Sequence, residues 1–310
     1  MKILFMGTPN FAIPCLKALI ESENELCGVF TQPDKPKGRG HKVSFSPVKE
    51  LALKNEIKVF QPKSLKNDEA LSIIKNLNPE IIIVVAYGKI LPKEIIEYPK
   101  YGCVNVHASL LPKYRGAAPI QWCVINGEDK TGVTTMYMDV GLDTGDILLK
   151  AEADIDNNET SGELHDRLSI IGANLLIETI EKIKDNTIKR EKQNDNESSY
   201  SPMLNKSLCN IDWNKKSNEI HNLVRGLNPW PTASTILDGK TLKIHKTKVC
   251  HIKGTEPGEI ISTSPLIVSC ADNTTLEILE VQLEGKKKMS TDEFLRGHKI
   301  DINKKLGDWK

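Results

Sequence analysis

Between residues 1 and 189 short apolar runs alternate with amphipathic stretches, and the run Ile81-Ile82-Ile83-Val84-Val85 narrows the fold most. Five consecutive apolar residues leave no polar face, so a strand there must be covered on both sides. The neighbouring segments supply the cover. Strand signals fall at residues 2–6, Glu25–Gln32, Ile57–Phe60, Tyr101–His107, Gly132–Met138 and Ile147–Ala153. Helical signals fall between them, at Phe11–Glu21, Asp68–Leu77 and Ala117–Asn126, and Glu159–Asn186 closes the series with Leu164, Leu168, Ile171, Leu175 and Ile183 near helical spacing. Strands and helices in alternation imply right-handed crossovers and a mostly parallel, Rossmann-like sheet in an α/β domain.

The first strand-to-helix turn reads Gly7-Thr8-Pro9-Asn10-Phe11-Ala12 rather than Gly-x-Gly-x-x-Gly. A dinucleotide would lack its pyrophosphate cradle there, which argues against a dehydrogenase. Three other segments should emerge at the carboxyl ends of the strands, where open parallel sheets bind ligands. In Asn105-Val106-His107, Val104 and Val106 mark the buried beat, so Asn105 and His107 project from one face. An amide donor beside an imidazole suits an oxyanion and a proton, although a lone His near a strand end is more often a packing residue. Gly141-Leu142-Asp143-Thr144-Gly145-Asp146 is an acidic loop that could equally be a plain turn, and Tyr87-Gly88-Lys89-Ile90-Leu91-Pro92 follows the buried run.

A polar stretch, residues 190–205, reads as a linker between a first domain at 1–189 and a second at 206–310. The second begins with a helix at Ser217–Gly226. Short strand signals follow at Ala233–Leu237, Thr241–Thr247, Gly258–Ser262, Leu266–Ser269 and Thr275–Leu283, as expected of a small β-barrel of the oligonucleotide-binding type. Residues 1–204 carry 25 basic and 28 acidic side chains, and 205–310 carry 17 and 13, a mild basic bias in the second part. The seven cysteines are scattered without a Cys-x-x-Cys or zinc spacing, so free thiols and no metal are expected. Without a long apolar run or a leader pattern, the chain reads as cytoplasmic, away from membranes and monomeric.

Asn105-Val106-His107 followed by Ser109-Leu110-Leu111-Pro112 resembles the signature of the folate-dependent formyltransferases. GTPNFA at 7–12, VVAYGKILP at 84–92, RGAAPIQW at 115–122, MDVGLDTGD at 138–146 and NPWPTA at 228–233 extend the resemblance over the whole chain. Ala108 stands where many relatives have Gly, a difference of one methyl group. The resemblance implies that Asn105, His107 and Asp143 are the catalytic residues. The donor is expected to be 10-formyltetrahydrofolate, held along Ser109, Leu110, Leu111, Pro112, Tyr87, Gly88, Ile90 and Leu91. An α-amine acceptor, with a solution pKa of about 7.7–8.0, needs no strong base. The tetrahedral oxyanion and the departing folate nitrogen are the costly steps. Asn105 would donate to the oxyanion, an interaction typically worth ~3–4 kcal/mol. His107 would share that donation and relay a proton, and Asp143 would orient the imidazole.

These motifs look most like those of members that act on initiator methionyl-tRNA. Two basic segments fit that acceptor. Residues 33–46 form a Pro/Gly-rich loop carrying Lys37, Arg39 and Lys42, far longer than the usual ~2–6-residue connection. In the second domain Lys240, Lys243, Lys246, Lys248 and Lys253 follow one another without an intervening acid, and about half are expected to be bystanders. Trp230, between two prolines, is expected to plug the core rather than to stack on a ligand. The rival readings are formyl transfer to an amino sugar nucleotide or a purine precursor, hydrolysis of the same folate, and RNA binding without catalysis.

Overall fold

A computed structural model describes residues 1–37 and 42–307. The chain divides into two compact units. Unit one comprises residues 1–116, 131–153 and 165–200, and unit two comprises 117–130, 154–164 and 201–310. Two short segments, 117–130 and 154–164, thus leave the run of the first unit and belong to the second.

Unit one is built on a seven-stranded sheet. Its order is Ile147–Asp154, Lys130–Tyr137, Cys103–His107, Ile81–Val85, Lys2–Gly7, Glu25–Phe30 and Val59–Phe60. The last five are mutually parallel, and Lys130–Tyr137 runs antiparallel to Cys103–His107. Every residue of Ile81–Val85 is buried, as an all-apolar strand requires. On one face, Leu4, Met6, Ile82 and Val84 pack with Ile74, Tyr87, Leu91 and Ile95. From the central Lys2–Gly7 strand the chain first builds outward through Glu25–Phe30 to Val59–Phe60, then crosses back to Ile81–Val85 and Cys103–His107. The strand order therefore reverses between Lys2–Gly7 and Ile81–Val85, which opens the crevice where such sheets bind ligands.

Local chemistry explains the less obvious elements. Pro47–Lys54 is a helix that starts where the Ser46 Oγ accepts the Lys49 amide at 3.1 Å and Pro47 occupies the first turn. Asp68–Leu77 stops at Asn78, whose φ of 47° is left-handed. The segment expected as a long loop at 33–46 carries a short antiparallel hairpin, Lys35–Lys37 with Lys42–Ser44. The described residues contain no helix long and apolar enough to cross a membrane.

In unit two, six strands form an antiparallel sheet: Ser234–Leu237, Lys240–Cys250, Thr275–Leu283, Leu266–Ser269 and Ile260–Thr263 in that order, with Met289–Ser290 on Thr275–Leu283. Register shifts around Lys246 bend the long central strand, and the sheet curls into a half-barrel rather than a closed barrel. Its core joins Leu242, Ile244, Ile278 and Val281 to Ile220 and Val224 of the Ser217–Gly226 helix and to Ala118 and Trp122. Two buried polar side chains of that helix bind the 154–164 segment. His221 Nε2 lies 2.9 Å from the Asn157 carbonyl, and Arg225 Nη1 donates to the carbonyls of Asp156 at 3.1 Å and Glu159 at 3.3 Å.

Candidate active site

The Cys103–His107 strand lies between Ile81–Val85 and Lys130–Tyr137, so its side chains are registered from both sides. Asn105 pairs with Val84 and Met136, and His107 with Thr134. Val104 and Val106 are buried between them, and Asn105 is half-buried. Two residues apart on one strand, Asn105 and His107 share a face. The His107 ring is buried. Its Nε2 is 3.0 Å from the Tyr114 carbonyl, and its Nδ1 is 3.7 Å from Asp143 Oδ2.

Asp143 reaches this position from the loop after Lys130–Tyr137. Its φ of 52° is left-handed, a conformation that Asp tolerates better than most residues. Gly145 is required by close approach, because a Cβ there would lie 1.8 Å from the Tyr137 carbonyl oxygen. The loop folds back so that the Tyr137 amide donates to the Asp146 carbonyl at 2.9 Å. Asp143 Oδ2 also accepts the Gly116 amide at 2.9 Å, which fixes the carboxylate from the side opposite its own loop.

The Ser109–Pro112 turn is anchored to the neighbouring strand through Thr134. The Thr134 hydroxyl donates to the Ser109 carbonyl at 2.7 Å and accepts the Leu111 amide at 3.2 Å. Ser109 is fully buried and its hydroxyl donates to the Lys113 carbonyl at 2.7 Å. Leu111 packs inward with Met136 and Ile147, Leu110 is half-buried, and Pro112 is half-buried beside it. Across the strand-order reversal, the Thr8 hydroxyl donates to the Tyr87 carbonyl at 3.0 Å. Gln32 Nε2 donates to the carbonyls of Tyr87 at 3.1 Å and Gly88 at 3.0 Å. Gly88 has a φ of 81°, which favours glycine. Tyr87 and Leu91 are buried in the core, whereas Ile90 is 83 % exposed. The Tyr87 hydroxyl is buried without a hydrogen-bond partner among the described residues, and burial pushes its pKa up to about 12.

His107 and Asp143 are therefore brought together, Asn105 shares the strand face of His107, and the Tyr87–Leu91 and Ser109–Pro112 loops follow the carboxyl ends of the two adjacent strands. Reading the sequence did not single out Tyr114, Gly116, Thr134 or Gln193. Three of these act through backbone groups or by bracing a turn, roles that leave no signature in residue type.

The residues expected to meet a nucleic acid are more dispersed. Arg39 lies outside the described residues, and Lys37 and Lys42 are described as backbone only, in the hairpin. Lys243, Lys246 and Lys248 are exposed on the long strand of unit two. The register sets acids opposite two of them: Lys246 faces Glu280 and Lys248 faces Glu277, while Lys243 faces Gln282. Trp230 is not a core plug. Its side chain is 61 % exposed, and the inward anchors around it are Leu227, Thr232 and Ala233. Pro229, itself exposed, lies so close to Gly162 that a Cβ there would come within 2.8 Å of its ring.

Comparison with known proteins places this geometry in a family. The model of the formyl transferase family matches residues 1–180, and that of the formyl transferase C-terminal domain matches 203–299. A methionyl-tRNA formyltransferase of Clostridioides difficile (strain 630) is 56 % identical, over 99 % of this chain and 100 % of its own. One of Caldanaerobacter subterraneus subsp. tengcongensis is 55 % identical, over 97 % and 98 %. Among solved structures, WlaRD, a sugar 3N-formyl transferase in the presence of dTDP and 5-N-formyl-THF, superposes with a TM-score of 0.67 at 26 % identity, covering 93 % of this chain and 99 % of its own. With both halves matched and relatives more than half identical from end to end, the chain belongs to the formyl transferase family.

Proposed function

We propose that the protein transfers the formyl group of 10-formyltetrahydrofolate to the free amino group of initiator methionyl-tRNA, the reaction that prepares the starting residue of translation. The observation that carries this reading is the breadth of the match. Relatives with that acceptor in their name align along both units at 49–56 % identity, whereas the sugar-directed WlaRD reaches 26 %.

The chemistry follows from the placement of three side chains. A carbonyl can only accept, so the Tyr114 oxygen fixes the hydrogen of His107 on Nε2. Nδ1 is then the nitrogen free to take a proton, and it faces Asp143. Asn105, on the same face, offers its amide N–H to the oxygen that becomes negative when the amine attacks. His107 carries the proton from the attacking amine towards the departing folate nitrogen, and Asp143 offsets the charge acquired on the way. No step of this scheme calls on a metal ion. The folate is assigned to the two flanking loops. Exposed Ile90 supplies an apolar wall.

The tRNA is assigned to residues 33–46, with Arg39, Lys37 and Lys42, and to the half-barrel. The latter is taken to be oligonucleotide-binding-like in its use, with Lys243, Lys246, Lys248 and the exposed indole of Trp230 on offer. In this division residues 1–189 carry the transfer, 206–310 help to hold the acceptor, and 190–205 join them.

The test is an acceptor comparison with the full-length protein and 10-formyltetrahydrofolate. Charged initiator tRNA, an amino sugar nucleotide, glycinamide ribonucleotide and water are offered in parallel. The reading requires rapid formylation of methionyl-tRNA only. Preferential formylation of the sugar nucleotide, or release of formate alone, would overturn it.

A further inference from the structure

The polar stretch after residue 190 does more than join two units. Glu191 exchanges both backbone hydrogen bonds with Ile147, at 2.9 and 2.8 Å, which starts the stretch against the end of the Asp143 loop. Gln193 then reaches into that loop: its Nε2 donates to the carbonyl of Asp143 and to that of Gly145, both at 2.8 Å. Its Oε1 accepts Arg115 Nε at 3.0 Å and Nη2 at 2.8 Å. The amide has one orientation only, since the two carbonyls need donors and the guanidinium needs an acceptor. Six residues further on, Ser199 binds the other side of the same site. Its hydroxyl accepts the Tyr114 amide at 2.9 Å, and its carbonyl accepts the Arg115 amide at 2.8 Å. Tyr114 is the residue whose carbonyl takes His107 Nε2, and Gly116, one residue beyond Arg115, donates to the Asp143 carboxylate.

We infer that residues 191–199 are a positioning strap of the active site, with Gln193 holding the Asp143 loop and Ser199 holding the Tyr114–Gly116 turn against it. This inference rests on the proposed roles of His107 and Asp143. Both members of the pair depend on the strap, one through its loop and the other through the carbonyl that fixes its tautomer. Neither Gln193 nor Ser199 touches His107, so both are positioning residues. Val140, Gly141 and Leu142 at the tip of the loop are exposed, so its anchors are the Gly116 amide, the Tyr137–Asp146 backbone bond and Gln193.

The test uses full-length Gln193→Ala and Gln193→Glu. The second keeps the size and the acceptor for Arg115 but has no hydrogen to give the two carbonyls, so it loses the strap contact while preserving packing. Amide exchange at 141–146 should accelerate in both variants. Their kcat should fall by up to ~100-fold, the scale on which an ångström of misplacement acts, with KM for donor and acceptor within about twofold. In the double variant with Asp143→Asn, the loss should be no greater than in Asp143→Asn alone, since Gln193 acts through Asp143. Unchanged loop exchange would show that Gln193 does not hold the loop. Losses that multiply in the double variant would show that it acts elsewhere. Full turnover by Asp143→Asn alone would remove Asp143 from the chemistry, and the catalytic claim for the strap would go with it.

Discussion

His107 Nδ1 stands 3.7 Å from Asp143 Oδ2 while the opposite ring nitrogen is tied to the Tyr114 carbonyl at 3.0 Å. The first distance is too long for a hydrogen bond and short enough for an ion pair. The imidazole is thus held at one end by a group that can only accept and faces a carboxylate at the other. Such contacts often tighten only when substrate is present. The Gly116 amide on the same Oδ2 keeps the carboxylate at its post.

The two loops assigned to the folate make separable predictions. Ile90 is largely exposed beside the crevice, so Ile90→Asp should leave stability near wild type and weaken donor binding by placing a charge against the apolar ligand face. Leu111 is buried with Met136 and Ile147, so Leu111→Asp should lower Tm first. Folate titration and thermal melts of the two variants decide this. Unchanged folate affinity in Ile90→Asp would move the donor away from this loop.

For the acceptor, the cross-strand register ranks the lysines. Lys243 faces Gln282 and has its charge to spare, whereas Lys248 faces Glu277. Lys243→Ala should therefore reduce the slope of log K against log salt for tRNA more than Lys248→Ala, by up to roughly 0.9 for one duplex phosphate contact. Arg39→Ala should raise KM for tRNA, and Arg39→Lys should recover only part of the loss, because a planar fork grips phosphate or guanine where lysine is a point charge. Equal slopes for wild type and Lys243→Ala would take that lysine out of the interface.

Trp230 offers a rigid, exposed face for stacking. Trp230→Ala should weaken tRNA binding by ~1–3 kcal/mol, the range seen when a stacked aromatic is removed, without altering the salt slope. Affinity equal to wild type would leave the indole without a role in the acceptor complex.

Unit two carries its own pH dependence. His221 is buried between Thr247 Oγ1 and the Asn157 carbonyl, each 2.9 Å away. Burial holds its pKa below the usual value, although the Asn157 carbonyl opposes the shift, and Arg225 nearby adds to it. A folded-state pKa below the unfolded one means that the unfolded chain binds the proton more readily. The resulting stability is present above pH ~6.5 and is lost as pH falls towards the folded pKa. His245 is shifted the same way, so His221→Gln should flatten the acid side of a Tm–pH curve in part. A slope identical to wild type would exclude His221 as a contributor.

Much of this architecture was legible in the sequence because periodicity and end signals coincide with it. Ile81–Val85, Asp68–Leu77 and Ser217–Gly226 run where the pattern puts them. Pro47–Lys54 carried a clear start in Ser46-Pro47 but lay inside a stretch dominated by Pro, Gly and Lys, which reads as loop. Periodicity marks Pro119–Ile125 as a helix, yet it cannot say that Trp122 and Ile125 pack in the core of the second unit. The Asn105–His107 face followed from strand alternation alone. The rest of the site did not, because Tyr114 and Gly116 contribute backbone atoms and Gln193 arrives from a polar stretch with no pattern of its own. Trp230 misled because apolar size between prolines resembles a core residue, and only the burial of Leu227, Thr232 and Ala233 shows which side faces in.

The most direct test of the account is single-turnover formation of formyl-methionyl-tRNA by the full-length protein and its Asn105→Ala, His107→Ala and Asp143→Asn variants, at saturating donor and acceptor. Loss of the oxyanion donor, the proton carrier or the orienting carboxylate should each slow the transfer at least ~100-fold, with folate affinity nearly unchanged. Folded variants that transfer the formyl group at the wild-type rate would contradict the assignment of the chemistry to this trio.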